Sequence, residues 1–275
     1  MNVLLGRPAS WKGSSPWEIR SAGAADRARV GRLVDTARWR HQHLDWSDSL
    51  SLLDRAPFLL ACERGHPVAC LALPPDRPDL AWLRLFALAG GRDLNEAWSS
   101  LWTEGAAAVE RLGIVQVWAL ATYAWLPRLL EGSGFRPAGG VVFLEAEASP
   151  SKGARPAAGR IRAMTTEDWE AVLALDQRAF EPAWALSPES LQAAASQASV
   201  ATVIEADGRL LGYQISSSSA YGLHLARLAV EPEVQARGLG AALVGDVLAQ
   251  AERMGVLRVS VNTQTDNNVS RHLYT

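Results

Sequence analysis

The chain has 275 residues and a formal net charge of -2, with 48% hydrophobic and 20% charged residues. This is the balance of a globular protein with a large core, and a near-neutral charge argues against a phosphate-tracking nucleic-acid binder. No apolar run reaches the roughly 18 residues that would span a bilayer. The opening MNVLLGRPASW lacks the basic-then-apolar order of a secretory signal. Two cysteines, Cys62 and Cys70, are too few for a disulfide framework, so a reduced, cytoplasmic setting is expected.

In chain order, the first strong pattern is FLLACERGHPVACLAL around Gly65, which reads as strand, turn and strand. His41 and His43, with Trp39 and Trp46 beside them, read as a helix edge carrying scattered aromatics. VERLGIVQV, Val109 to Val117, reads as a helix closed by Gly113 and followed by an apolar strand. The chain then continues for two more strands, through Gly134-Phe135 and through Gly140 to Glu145. Residues 149–159 are small residues, prolines and glycines, the composition of a linker.

The pattern then repeats. TVIEADGRLLGYQI places Gly208 143 positions after Gly65, and AERMGVLRV places Gly255 142 positions after Gly113. Two landmarks in the same order at nearly one offset indicate a duplication. The expected domains are 17–148 and 160–275, joined by the 149–159 linker. Within the second copy, a strand over Arg160 to Met164 precedes a helix capped by Thr165 or Thr166, and Ser187-Pro188 opens another helix. After the Gly208 hairpin come a strand over His224 to Val230, a helix over Gly240 to Met254, a strand over Leu257 to Val261 and a helix from Asn267 to Tyr274. The fold class is α/β (α+β layered), each copy a mixed, mostly antiparallel sheet flanked by helices.

The most informative segment is Leu225 to Leu243, where an apolar strand and a loop lead into a helix through Gln235-Ala236-Arg237-Gly238-Leu239-Gly240. Free N–H groups at a helix start attract an anion. Glycine lets the anion approach the main chain, and Arg237 adds a positive charge. This loop resembles the pyrophosphate loop of the GCN5-related N-acetyltransferase (GNAT) superfamily, and Asn267-x-x-Ser270-x-x-Leu273-Tyr274 is similar to that superfamily's last conserved helix.

The resemblance implies acetyl-CoA or another acyl-CoA as cofactor, with its pantetheine arm along Leu228, Ala229 and Val230. The pyrophosphate would lie on the amides of Gln235 to Ala241, and Asn267 and Ser270 would add cofactor contacts. It implies Tyr274 as the acid for the departing thiolate and a strand N–H near Val230 as oxyanion donor. The base is open among His224, Glu181 and a water relay, because Asn262 stands where some relatives carry a glutamate. The implied acceptor is a small-molecule or peptide amine, with a homodimer left open and no nucleic acid, membrane or metal. The rival reading is a non-catalytic acyl-CoA-binding sensor or interaction module on the same fold.

Mapped back by the 142 offset, Gln235, Gly238 and Gly240 fall on Asp93, Glu96 and Trp98, and Leu130 takes the tyrosine position. A carboxylate and an indole are hostile to a diphosphate, so the first copy is expected to keep the fold without the site. The second copy ends before the two closing strands that the first copy has. Either it is truncated there or another segment supplies the edge that Leu257 to Val261 would otherwise expose.

Overall fold

The computed structural model describes residues 1–7, 16–46, 48–148 and 159–274. It divides into two compact units, Met1–Gly140 and Val141–Thr275. The division falls inside a strand and not in the 149–159 segment, of which all but Gly159 lies outside the described residues.

The first unit contains β1 (Asn2–Gly6), β2 (Glu18–Ser21), α1 (Arg27–Thr36), β3 (Trp39–Gln42), β4 (Phe58–Glu63) and β5 (His66–Ala72). It continues through β6 (Pro75–Arg77), β7 (Leu80–Trp82), β8 (Leu85–Leu88), α2 (Leu94–Arg111), β9 (Gln116–Ala121), α3 (Leu126–Gly132) and the first residues of β10 (Arg136–Glu147). Strands pair in the orders β2-β4-β5-β8-β3 and β10-β1-β9-β7-β6. Strand β1 inserts antiparallel between β9 and β10, although residues before Trp17 stood outside the expected domain. Both faces of the β4–β5 hairpin are buried. On one, α2 stacks Trp98 on Trp102 with ring centroids 5.5 Å apart, within a cluster that includes Leu71, Phe86 and Leu101.

The histidines and cysteines of this unit are structural. His41 lies in strand β3 rather than on a helix edge, fully buried. Its Nε2 lies 3.1 Å from the carbonyl of Leu83, and burial lowers its pKa to about 4. Cys62 and Cys70 are free and buried, and burial pushes the Cys70 thiol up to about 12, away from nucleophile chemistry.

The second unit holds the rest of β10, then β11 (Arg160–Ala163), α4 (Trp169–Ala179), α5 (Pro188–Gln197), β12 (Val200–Ala206), β13 (Arg209–Ser219) and β14 (Gly222–Val230). It closes with α6 (Leu239–Arg253), β15 (Arg258–Gln264) and α7 (Asn268–Tyr274). The order is β11-β12-β13-β14-β15-β10. Helix α5 starts as its sequence dictates, with Ser187 accepting from the Ser190 N–H at 3.1 Å and Pro188 in the first turn. The edge of β15 is covered by Val141 to Glu147 of β10, antiparallel from Val141↔Gln264 to Glu147↔Arg258. The strand that pairs with β15 on this side thus comes from the segment before the linker.

The duplication is visible in bonding detail. Arg20 grips Asp26 through two nitrogens at 2.8 and 2.7 Å. Arg162, 142 positions later, grips Asp168 at 2.7 and 2.8 Å. In each copy the same carboxylate also accepts a backbone N–H at the turn start, from Gly23 or Thr165. The central parallel pair has one register in both, Leu80↔Gln116 and Leu223↔Val259, 36 positions apart.

The arginine hydrogen bonds hold Asp26 and Asp168 at about 2, below their ordinary 3.8. A carboxylate with a depressed folded-state pKa stabilises above its unfolded pKa, and that contribution is lost as pH falls toward the folded value. Each pair is worth about 1–2 kcal/mol. Thermal midpoints should therefore drop between pH 4 and pH 2, and an Asp26→Asn, Asp168→Asn double variant should be less stable at pH 7 and shallower in that window. An equal acid slope in the double variant would refute this assignment.

Candidate functional site

Helix α6 begins with Gly238 in the left-handed region, φ 80°. The helix is amphipathic, burying Leu239, Ala242, Leu243, Val247 and Ala251 against the sheet. Its first bond runs from the Ala242 N–H to the Gly238 carbonyl at 3.0 Å. The N–H groups of Gly238, Leu239, Gly240 and Ala241 therefore have no acceptor within the helix, and no side chain caps it. Ala236 is also left-handed, φ 61°, so the loop turns twice and forms a concave run of amides. Gln235, Ala236, Arg237 and Gly238 are exposed. A Cβ built on Gly238 would meet nothing within 4 Å, which leaves the concavity open.

The motif's residues have three different jobs. The Gln235 Nε2 donates to the Val230 carbonyl at 3.1 Å and holds the loop against β14. Gly238 supplies the backbone conformation that other residues rarely adopt. Gly240 is small for packing, since a Cβ there would lie 3.1 Å from Leu273 Cδ2 and 3.9 Å from Val230 Cγ2.

Beside this loop the sheet opens. Strands β14 and β15 pair only over Leu223↔Val259, His224↔Ser260 and Leu225↔Val261. Beyond that point β14 runs on to Val230 and β15 to Gln264 without pairing to each other. A register shift opposite Ile215 and Ser216 makes Ala226 a bulge where the strands part. The Glu231 N–H donates to the Leu211 carbonyl at 2.9 Å, which fixes the phase of the β13 ladder. Arg227 and Ala229 then direct their main-chain groups to β13, and Leu228 and Val230 direct theirs into the gap.

Side chains sort by face. Leu223, Leu225, Val259 and Val261 pack with Val247 and Ala251 of α6, and Leu228 and Tyr274 join that layer. Burial there pushes the Tyr274 phenol up to about 12. By strand alternation His224, Ser260 and Asn262 project from the other face. His224 Nδ1 lies 3.0 Å from Ser260 Oγ, its ring is stacked on Phe143 of β10 with centroids 6.5 Å apart, and burial lowers its pKa. The Oδ1 of Asn262 is buried and has no hydrogen-bond partner among the described residues. Glu181 sits exposed on the turn after α4, where its carbonyl accepts from the N–H groups of Trp184 and Ala185 at 2.8 and 3.0 Å. Asn267 is the cap of α7, its Oδ1 accepting from the Ser270 N–H at 3.0 Å, a local role that sequence spacing alone did not reveal.

In the first unit the equivalent gap is filled by the chain itself. Leu85 to Leu88, 142 positions before Arg227 to Val230, pair antiparallel with Gln42 to Trp39 of β3. The stretch from Leu88 to Leu94 is also shorter than that from Val230 to Leu239. At the start of α2 the Asp93 carboxylate accepts from the Glu96 N–H at 2.9 Å, so a side chain already occupies the anion position. Trp98 does not stand at that helix mouth. It is buried, and its Nε1 donates to Ser133 Oγ at 2.7 Å, so the obstruction foreseen from Trp98 comes from β3 and Asp93.

Residues 169–275 match the family model described as acetyltransferase (GNAT) family. Several solved structures resemble nearly the whole chain, among them the following three. A GCN5-related N-acetyltransferase from Sphaerobacter thermophilus is 18% identical with TM-score 0.62, covering 94% of this chain and 92% of that one. A tandem GNAT protein from the clavulanic acid biosynthesis pathway is 16% identical with TM-score 0.67, covering 93% and 92%. A GCN5-related N-acetyltransferase from Anabaena variabilis ATCC 29413 is 12% identical with TM-score 0.67, covering 93% and 68%. No curated protein sequence matches the chain significantly. Motif, family match and two-unit architecture agree: residues 169–275 match the GNAT acetyltransferase family, and the chain has a tandem GNAT fold.

Proposed function

We propose that the protein is an acyl-CoA-dependent N-acyltransferase, with acetyl-CoA as donor, a primary amine as acceptor and its one working site in the second unit. The observation that carries this is the gap between β14 and β15 opening next to the start of α6, where the N–H groups of Gly238 to Ala241 have no acceptor within the helix. A diphosphate fits the free N–H groups at the start of α6, and an extended amide-bearing arm fits the gap-facing groups of Leu228 and the N–H of Val230, whose carbonyl is held by Gln235. Acyl-CoA, when bound, supplies the activated thioester. Asn267 and Ser270, at the start of α7, are assigned as further cofactor contacts.

The chain's own groups divide the proton work between the two faces of the sheet. Tyr274, on the α6 face, stays protonated through the physiological range and holds a proton for a departing thiolate. His224, on the opposite face, is neutral at pH 7 because burial disfavours its charged form. Its contact with Ser260 orients the ring, and it is assigned as the group that receives the amine proton, directly or through water. Glu181, on the exposed turn, is assigned to the acceptor entrance. A gap-facing N–H of β14, from Leu228 or Val230, is the oxyanion donor. The first unit is assigned no cofactor, because β3 and Asp93 occupy the equivalent positions. An amine acceptor is consistent with the family match of residues 169–275, and the presence of a candidate acid and a candidate base in the same unit favours catalysis over a binding module.

The test is release of free thiol from acetyl-CoA in the presence of small primary amines and peptides with free N-termini. Turnover is expected, with kcat/KM falling as pH drops through a value below the ordinary histidine 6.5, and with that acid limb lost in His224→Ala. Binding of CoA without turnover of any amine would overturn the catalytic reading.

A further inference from the structure

We propose that Arg227 is a positioning residue for the acceptor. It clamps the turn from Phe180 to Leu186 to strand β14 where the gap opens, and so fixes the wall against which the amine docks. This rests on the acyltransferase reading above. Arg227 directly follows the bulged Ala226, and its side chain leaves the sheet on the face shared with His224. Its Nε and Nη2 donate to Asp176 of α4 at 2.7 and 2.8 Å. The Nη2 also donates to the Trp184 carbonyl at 2.8 Å. The guanidinium carbon stands 3.5 Å from the centroid of the Phe180 ring.

Asp176 completes the arrangement. It is fully buried and also accepts from the Tyr213 hydroxyl and, at 2.7 Å, from the Leu186 N–H. One ion pair thus holds the turn at its beginning through Phe180, near its end through Trp184, and at Leu186. The exposed Glu181 and Pro182 lie between these anchors. A buried ion pair seldom stabilises more than apolar side chains of the same size would. What a forked guanidinium adds is direction, two parallel bonds and a planar stacking face. Those properties suit a group that must keep a turn in register with a strand, and the strand in question borders the gap.

The test compares the wild-type chain with Arg227→Lys and with an Asp176→Leu, Arg227→Met double variant, which keeps bulk and leaves no unpaired charge. The acceptor is whichever primary amine or peptide the wild type turns over fastest. Both variants should raise the KM for that amine at least tenfold. Their kcat and their KM for acetyl-CoA should stay within about twofold of wild type, a split that general loosening of the fold would not produce. Amide hydrogen exchange at Ala183 to Leu186 should accelerate with it. An unchanged amine KM in a folded variant, or a KM for acetyl-CoA that rises in parallel, overturns the inference while leaving the acyltransferase reading intact. Failure of the wild type to acylate any amine removes both.

Discussion

Gly238→Glu is expected to weaken CoA binding about 100-fold or more, equivalent to about 2.7 kcal/mol, while the protein stays folded. Position 238 combines φ 80° with an open site for a Cβ. A side chain there meets no steric obstacle, and the cost to the free protein is backbone strain of about 1–2 kcal/mol. The effect on binding comes from charge. The carboxylate would sit over the unpaired amides of Leu239 to Ala241 as Asp93 sits over the start of α2 in the first unit, competing with a diphosphate and repelling it. Gly238→Ala carries the strain without the charge and should lose less than about tenfold. Calorimetric titration with CoA on both variants, with melting curves, separates the two contributions. A folded Gly238→Glu protein with wild-type affinity would remove the loop from the site.

Tyr274→Phe is expected to lower kcat about 100-fold, within the range for loss of a positioned acid, with the affinity for CoA within about twofold of wild type. The ring packs in the apolar layer formed by Leu223, Leu225, Val259 and Val261. Phenylalanine keeps that contact, so stability should change little. Only the hydroxyl is lost, and the raised phenol pKa means that no limb of the wild-type pH profile below pH 11 belongs to it. Steady-state kinetics with the best acceptor reads the split. Equal turnover in the two proteins would show that the thiolate leaves without help from Tyr274.

How much of this was legible in the sequence depends on the range of the interaction. The duplication, the hairpins and the Gln235 to Gly240 loop declare themselves through local signals: glycine spacing, apolar period and cap residues. The Ser187-Pro188 start of α5 is a case where side-chain chemistry and backbone position coincide. The gap between β14 and β15 left no such trace. It arises because three pairs form and the next do not, a property of strand geometry spread over residues far apart in sequence. For the same reason β3 was read as a helix edge. Its four residues carry no strong period, and their partner at Leu85 to Leu88 lies more than 40 positions away. Whether another segment covers the edge of Leu257 to Val261 was left open by the sequence, and the pairing of Val141 to Glu147 with β15 is a tertiary contact that no local signal announces.

Gly240 teaches a narrower lesson. Two glycines two positions apart look alike in a motif, yet one is required by its backbone angle and the other by the proximity of Leu273. Substituting Gly240 therefore disturbs α7 and Tyr274 rather than the anion position, and it is a poor probe of phosphate binding.

The most direct test of the central claim is a crystal structure with CoA bound. The account predicts one CoA per chain, its diphosphate within hydrogen-bonding distance of the N–H groups at Gly238 to Gly240 and its pantetheine arm beside Leu228 and Val230. A nucleotide lodged instead at Asp93 and Glu96, or a second CoA displacing β3 from Leu85 to Leu88, would contradict it.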